Sequence, residues 1–475
     1  MHMKRFFIFS LAVLLVPLAD WFLQKHVIMD GQIYDRDATV LVLPGGLPEE
    51  VERLEDFSNL SWLDLRGTGI TGAEYEEARR AAGTAHILWD LDFQGSAVDA
   101  HTDTLEIRQL TDADVDALGY LPRLKTILAE DCRDYPQLLT LTRLHPDWDI
   151  RYRVPLGDTL ISCREIAPVP GECTEEQLRQ ALALLPRVRR MDLRQTGLSS
   201  IQARSLAEDY PWVRFLWEEQ LGDVVFPTNA REIDLSGVPL EGVETVEHLL
   251  PFLPEAEKII LCDCGIPSPE LAALGERHPE IRFVWRVKLG PLSARTDDKW
   301  FAPITKHQLI GGHDADELKY CTDMECIDLG HCWIRDCEWA REMPKLRYLV
   351  LADTDVTDLA PLSGLKNLTY LELFVTPIRD YSPLLGCTGL EDLNLGYTYG
   401  DPTPISQMTW LKNLWWGGIH YVPWVNGKNP AAMLQHGLPD TKIMLYAGSS
   451  TGMGWRNLAH YYEMRDIIGM YYMTG

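Results

Sequence analysis

Ten cysteines are the most chemically versatile side chains in this chain of 475 residues, and their spacing limits what they could do. The pairs Cys262-x-Cys264 and Cys332-x4-Cys337 lie near the spacing of metal ligands. A structural zinc ion needs about four ligands, however, and no second Cys or His pair stands at zinc-finger distance from either pair. The sequence therefore predicts no metal site and no cofactor.

The sequence contains no recognisable catalytic motif. It has no nucleophile elbow, phosphate loop, H-E-x-x-H or dinucleotide fingerprint, and the glycine-rich stretch 448–454 lacks the Lys-Ser/Thr that a phosphate cradle uses. Carboxylates are so abundant that pairing any two as acid and base would be arbitrary. We predict that the protein is not an enzyme. The least favoured alternative is an enzyme site in the C-terminal segment, around His420, Trp424, Trp455 and His460.

The stretch between Met324 and Ile419 is a short sequence repeat, which bears on the fold rather than on catalysis. Apolar residues recur at the first, fourth and usually the sixth place of segments that start at Met324, Leu346, Leu368, Leu390 and Leu411, in steps of 22, 22, 22 and 21 residues. The pattern L-x-x-L-x-L with a period of about 20–29 residues is typical of leucine-rich repeat strands. It predicts an α/β solenoid, a curved parallel-sheet horseshoe.

The outward-facing residues of these strands form the candidate site. Strand side chains alternate, so the third, fifth and seventh places of each repeat point away from the core. They give an aromatic stripe flanked by acids: Asp328, Tyr348, Tyr370, Glu372, Phe374, Asp392, Asn394 and Trp415. Clustered exposed aromatic rings favour a ligand-binding surface. The alternative is that a loop or the C-terminal segment covers them and makes them core.

One position of the repeat accounts for part of the cysteine count. Three places after the last apolar residue of each strand stand Thr68, Cys132, Thr196, Cys264, Cys332, Thr354, Thr376 and Thr398. In leucine-rich repeats a donor here bonds the backbone of the turn that neighbouring repeats share. The other cysteines are predicted to be buried free thiols. Two disulfides remain open as alternatives: Cys321–Cys326 and Cys163–Cys173.

The part of the chain before the regular repeats carries a longer period. Equivalent apolar positions fall at Leu60, Leu124, Val188 and Ala256, in steps of 64, 64 and 68 residues, close to three short repeats. Each long unit predicts a strand, a helix, a strand, a helix and an extra strand. Thr174 and Gln177 form a predicted capping box at the start of one of these helices.

The N-terminus and the charge bear on location and partners. Lys4 and Arg5 precede the apolar run 6–19, which is typical of a secretory signal and shorter than the ~20 residues of a membrane span. A cleaved signal and an uncleaved signal anchor both fit, and a buried core helix is the remaining alternative. The net charge of −26 would repel nucleic acid and anionic lipid, so we predict neither as a partner.

The regular repeats resemble those of a known family. The stretch Asp358–Leu368 (DLAPLSGLKNL) and the later Ser382-Pro383-Leu384 are similar to the 22-residue repeats of bacterial internalin-type surface proteins. From about Ala38 onward the chain also resembles secreted leucine-rich repeat proteins of gut Firmicutes, whose arrays close with a phrase similar to Ser449–Asp466. The resemblance implies extracellular protein or glycan binding. The chain departs from internalins in lacking a cell-wall sorting motif, a lipidated cysteine and an immunoglobulin-like module.

These observations predict five regions: a signal peptide or anchor (1–25), irregular repeats (38–294), a bridge (295–320), regular repeats (321–422) and a C-terminal cap (423–475). The irregular repeats include a predicted strand at Cys163–Val169, and the cap a predicted strand at 442–446 and a final helix at 456–468. The predicted function is recognition of a protein or peptide, with a glycan as a further option, by the concave face of a secreted or N-terminally anchored protein. The membrane would be contacted only through an uncleaved N-terminal segment. A structural envelope scaffold without a dedicated ligand is the main alternative.

Overall fold

The computed structural model describes residues 21–303, 310–417, 429–450 and 454–469. They form a mixed α/β structure with parallel sheets, which confirms the α/β part of the predicted fold class. The chain divides into two compact units, Met1–Trp217 and Glu218–Gly475. This division falls inside the predicted region 38–294 rather than at the predicted bridge, and the five predicted regions stay predictions.

The first unit has thirteen strands and five helices among the residues described for it. The strands are β1 His26–Met29, β2 Gln32–Asp35, β3 Val40–Val42, β4 Trp62–Asp64, β5 His86–Leu88, β6 Asp90–Phe93, β7 Ser96–Asp99, β8 Thr104–Glu106, β9 Thr126–Ala129, β10 Asp149–Leu156, β11 Thr159–Ser162, β12 Arg190–Asp192 and β13 Arg214–Leu216. The helices are α1 Gly72–Ala81, α2 Asp112–Leu118, α3 Tyr135–Leu144, α4 Glu175–Leu184 and α5 Ser200–Asp209.

The second unit has shorter helices and a longer sheet. Its strands are β14 Glu218–Leu221, β15 Val224–Pro227, β16 Glu232–Asp234, β17 Lys258–Ile260, β18 Arg282–Val284, β19 Arg286–Leu289, β20 Leu292–Arg295, β21 Trp300–Phe301, β22 Gly311–Gly312, β23 Cys326–Asp328, β24 Trp333–Ile334, β25 Tyr348–Val350, β26 Tyr370–Glu372, β27 Asp392–Asn394, β28 Asn413–Trp415 and β29 Lys442–Met444. Its helices are α6 Val243–Glu247, α7 Ser268–Arg277, α8 Pro430–Gly437 and α9 Ala459–Ile467.

Each long unit is built from short parallel strands and helices, followed by a β-hairpin that the sequence prediction missed. The hairpins are β6–β7, β10–β11, β14–β15 and β19–β20. In the second of them β10 pairs with β9 in parallel and then with β11 in antiparallel, and Gly157, with φ of 58°, makes the turn. A left-handed conformation at a two-residue turn favours glycine, so the repeated Leu-Gly-Asp could have revealed the hairpins.

One predicted strand is wrong and one predicted cap is confirmed. The stretch Cys163–Val169 is not a strand, although the Ile166 carbonyl accepts bonds from the amides of Arg189 and Arg190; Pro168 has no amide proton to extend the ladder. At the start of α4 the Thr174 hydroxyl accepts from the Gln177 amide (3.2 Å), and the Gln177 side chain accepts from the Thr174 amide (2.9 Å). A cap of this kind contributes about 1 kcal/mol to helix stability.

The regular array, residues 324–417, is a parallel ladder that advances by one repeat per strand. Strands β21, β23, β25, β26, β27, β28 and β29 form one seven-stranded sheet. Equivalent residues lie opposite one another, so that Leu349 pairs with Leu371 and Leu371 with Leu393. These leucines are fully buried. The predicted C-terminal strand (442–446) and final helix (456–468) are confirmed as β29 and α9, within a few residues.

No helix within the part of the chain that the structure describes is long and apolar enough to cross a membrane. Residues 1–20, which hold nearly all of the predicted signal segment, lie outside the described residues.

Candidate functional site

The parallel pairing of the strands in the regular array places the predicted site residues in rows across the sheet. One row contains Tyr348, Tyr370 and Asp392, and the next contains Asp328, Glu372, Asn394 and Trp415. Phe374 stands two places after Glu372, on the same face. The 22-residue step predicts this juxtaposition, and the structure shows it.

The expectation that this face is open to solvent is wrong for most of these residues. Tyr348, Tyr370, Glu372, Asn394 and Trp415 have no exposed surface, and Asp392 is 2% exposed, while Asp328 and Phe374 are half-buried. The cover is residues 454–469, which we call the covering segment. It packs Trp455, Tyr461, Met464 and Ile468 against the sheet in a second hydrophobic core. Apolar residues at helical spacing in this segment were the sequence signal for the cover.

The centre of the face is a buried polar chain of contacts. The Trp455 Nε1–H donates to the Tyr370 hydroxyl (2.8 Å), which donates to Glu372 Oε2 (2.7 Å). Burial raises the pKa of both Tyr370 and Glu372. The Arg456 guanidinium lies 3.6 Å from Glu372 Oε1; burial lowers its pKa, but the carboxylate opposes this and the pKa is raised. A charge pair thus joins the covering segment to the middle strand.

Two further contacts hold the covering segment at neighbouring strands. His460 Nδ1 lies 2.9 Å from Asp392 Oδ2, and the other oxygen of Asp392 accepts from the Asn413 side chain at 2.7 Å. The Tyr348 hydroxyl donates to the Glu463 carboxylate. Burial, with the Glu463 carboxylate, raises the pKa of Tyr348. Strands β25 and β27 therefore each give the segment one of these polar contacts, and β26 gives two.

Aromatic rings occupy the end of the face nearest β29. The Trp415 ring lies 5.6 Å from Phe374 and 6.3 Å from Trp455 between ring centroids, and its Nε1–H donates to the Tyr446 carbonyl (3.1 Å). A Cβ at Gly396 would come within 2.9 Å of the Phe374 ring. Glycine at that place gives the phenyl ring room to lie flat on the sheet.

The cover leaves some buried polar atoms without hydrogen bonds. Among the described residues these include Glu372 Oε1, Asn394 Nδ2 and Arg456 Nε. An unpaired buried polar group costs about 1–3 kcal/mol, and such groups are few in native proteins. The face and its cover are therefore complementary in shape and charge but incompletely paired.

The cysteines and threonines of the repeat occupy the predicted places. Thr196 and Thr376 donate to the carbonyls of Leu193 (2.6 Å) and Leu373 (2.5 Å), three residues earlier, and Cys264 Sγ lies 3.1 Å from the Leu235 carbonyl of the preceding strand. All ten thiols are unpaired in the structure, so neither of the two disulfides left open is formed there. Burial raises the thiol pKa, as at Cys321, where it reaches about 12.

One group of possible metal ligands lies away from this face. His313, Asp316 and Asp336 each offer one ligand atom, and these atoms lie within 4.8 Å of one another. Two of the three residues are exposed, and exposed carboxylates commonly cluster without an ion. This group could not be predicted from the sequence, because its members are not at a recognisable spacing.

The residues of the alternative enzyme site are only partly described. His420 and Trp424 lie outside the described residues. Trp455 and His460 belong to the covering segment, and their polar atoms bond Tyr370 and Asp392. These contacts explain the two residues without a reaction.

No family model and no curated protein matches this chain. Similar solved structures include internalin C2 of Listeria monocytogenes (19% identity, TM-score 0.23, 46% of this chain and 74% of that one). An internalin F of the same species has 13% identity and a TM-score of 0.25 over 87% of this chain and 76% of its own. A leucine-rich repeat protein of Leptospira interrogans has 15% identity and a TM-score of 0.25 over 84% and 92%. At such TM-scores the chains do not superpose as wholes, and we base the repeat geometry on the strand register alone.

Proposed function

We propose that this chain is a leucine-rich repeat binding protein, with a horseshoe-shaped solenoid, that recognises a protein or peptide through the sheet face of the regular array. The N-terminal sequence supports a secreted protein or one anchored at the outer face of the cytoplasmic membrane. The net charge of −26 opposes nucleic acid as a partner.

The proposal depends on one observation: the face already holds a short helical segment in the manner of a bound peptide. Aromatic residues of the segment fill the middle of the face, and each of three neighbouring strands gives at least one polar contact. Binding of an amphipathic helix by a preformed surface uses this arrangement. Glu372 Oε1 and Asn394 Nδ2 make no hydrogen bond under the covering segment, so a partner that hydrogen-bonds these atoms would satisfy the face better.

The test supplies the segment as a separate peptide. A labelled peptide GWRNLAHYYEMRDIIG, residues 454–469, is titrated into the full chain carrying Trp455→Ala, which weakens the intrachain contact. We expect binding at least about tenfold tighter than to the unchanged chain, where the tethered segment competes at high effective concentration. Trp212→Ala, which removes an exposed tryptophan of the first unit, is the matched control and should behave like the unchanged chain.

A second substitution locates the binding. Adding Tyr370→Ala to the Trp455→Ala chain should abolish peptide binding, because the indole of the peptide loses its acceptor. Circular dichroism establishes that each variant keeps its folded array. Absence of peptide binding to a folded Trp455→Ala chain would refute the proposal and favour the alternative of a structural scaffold, for which the burial of most of the face is the supporting observation.

A further inference from the structure

A second surface, outside the covered face, combines exposed aromatic rings with unpaired charged groups. It lies where the chain turns after each strand of the regular array. The backbone there is left-handed at His331, Asp353, Val375 and Tyr397, with φ of 62°, 55°, 60° and 60°. Two places further on stand Trp333, Asp355, Pro377 and Tyr399, one from each repeat. All of these residues except His331 line a groove of about 590 Å³, within the range of about 300–1,000 Å³ typical of ligand sites.

Two aromatic side chains bracket this groove and lie open to solvent. Trp333 is 61% exposed and Tyr399 is 59% exposed, far more than the aromatic residues of the covered face. Strands spaced about 4.8 Å apart place two residues three repeats apart at a separation of roughly 14 Å. An extended ligand that follows the repeats would contact both rings, whereas a single small molecule would contact one.

The charged groups between the rings narrow the class of ligand. Asp353 is bonded to His331 Nδ1 at 2.9 Å. The side chains of Asp355 and Arg379 line the same groove, and neither has a hydrogen-bond or ion-pair partner within the described part of the chain. The two groups without a partner there, Asp355 and Arg379, carry opposite charges, so together they favour neither a purely cationic nor a purely anionic ligand.

A neutral ligand with many hydroxyl groups suits both charges. The Asp355 carboxylate accepts hydrogen bonds from hydroxyl groups, and the Arg379 guanidinium donates to hydroxyl oxygens. The face of an aromatic ring is electron-rich, and the polarised C–H groups of a sugar ring pack against it. We propose that this groove, with Trp333 and Tyr399 as stacking platforms and Asp355 and Arg379 as hydrogen-bonding groups, binds a neutral linear oligosaccharide along the repeats.

The experiment uses the full chain and defined probes. Cellohexaose, laminarihexaose, hexa-N-acetylchitohexaose and mannohexaose are titrated by calorimetry up to about 1 mM, together with hexa-arginine and hexagalacturonate. We expect at least one neutral oligosaccharide to bind. Trp333→Ala should weaken that binding about tenfold or more, and Arg379→Gln and Tyr399→Ala should weaken it in the same direction. Trp212→Ala removes an equally exposed tryptophan elsewhere and should leave binding unchanged.

Three results would overturn the proposal: no binding of any neutral probe, binding of hexa-arginine or hexagalacturonate alone, or unchanged oligosaccharide binding by a folded Trp333→Ala chain. Because these residues are exposed, the substitutions should not unfold the chain, and circular dichroism checks this. The groove shares no residue with the covered face, so this inference and the proposed function can fail independently.

Discussion

Two sheet faces of this molecule share strand geometry but differ in what lies on them. In the first unit, the sheet of β8, β9, β10 and β11 carries ion pairs in contact with solvent: Glu130 with Arg153 at 2.5 Å, and Asp149 with Arg151 at 2.7 Å and Arg164 at 3.3 Å. In the regular array the same outward positions carry aromatic rings and acids, and the chain covers them with its own segment. The register of the strands therefore does not determine whether the outward face of a repeat is exposed or buried.

The residue composition of the outward face determines whether it is exposed or buried. A charged outward row is satisfied by water and by its own ion pairs, each worth about 0–1 kcal/mol. A face containing Tyr348, Tyr370 and Trp415 gains about 1.5–3 kcal/mol for each large apolar side chain that is removed from water. The difference predicts a descending series of mutational effects.

Truncation on the covered face should have the largest effect. Tyr370→Ala removes a fully buried ring together with the acceptor of Trp455 and a donor to Glu372. We expect a loss of about 3–5 kcal/mol in the free energy of unfolding, measured in urea. Trp212→Ala is the exposed control and should change the value by less than about 0.5 kcal/mol. A similar small effect of both substitutions would show that the face is not core.

The Thr and Cys residues that stand three places after each strand should contribute similarly to the free energy of unfolding in the two regions. Thr196 and Thr376 are both buried and make the same bond to a carbonyl three residues earlier. Replacing either with Val removes this side-chain bond, but the backbone amide of the same residue still donates to the same carbonyl, at 3.0 Å for Thr196 and 3.2 Å for Thr376. We therefore expect a cost of about 0.5–1.5 kcal/mol in unfolding free energy, measured in urea. Thr376→Cys should cost less than Thr376→Val, because a thiol is still a donor and Cys264 at the equivalent place lies 3.1 Å from a carbonyl. Unequal costs for the two Val variants would mean that the turns of the two units differ.

The contributions of two acids to the pH dependence of stability, Glu372 in the regular array and Asp192 in β12 of the first unit, should have opposite signs. Burial raises the folded-state pKa of Glu372, so this residue contributes stability at pH below its unfolded pKa and loses it as pH rises through the raised value. Hydrogen bonding to Arg194 lowers the pKa of Asp192, so its contribution is present above the unfolded pKa and is lost as pH falls. Urea unfolding of Glu372→Gln and Asp192→Asn between acid and neutral pH checks this. Slopes that change in the same direction would contradict it.

The smallest effect on the free energy of unfolding is expected for the solvent-exposed ion pairs of the first unit. Glu130→Gln removes the partner of Arg153, and both side chains are nearly half exposed. The free energy of unfolding should fall by less than about 1 kcal/mol, and the loss should shrink further in high salt. A larger, salt-independent loss in urea unfolding would show that this face is buried against something.

The sequence predicted the elements that repeat and missed the contacts that do not. The period of 22 residues was sufficient to place Tyr348, Tyr370 and Asp392 in one row, and the ladder of Thr and Cys, because each depends only on neighbouring repeats. The cover could not be located in this way, since the period fails before Trp455 and Tyr461 are reached. The hairpins were missed because alternation was interpreted as one strand, although the glycine turn at Gly157 was a local signal.

The covering segment also affects the order in which parts of the chain fold. Its bonds to Tyr348, Tyr370 and Asp392 join residues 115, 85 and 68 positions apart, whereas the ladder bonds span a single repeat. Contacts between distant parts of a chain form late, because closing a long loop costs entropy. During translation each strand can add to the previous one as it emerges, but the aromatic face stays uncovered until residues 454–469 have left the ribosome. That interval is when the nascent chain is most exposed to aggregation and most dependent on chaperones.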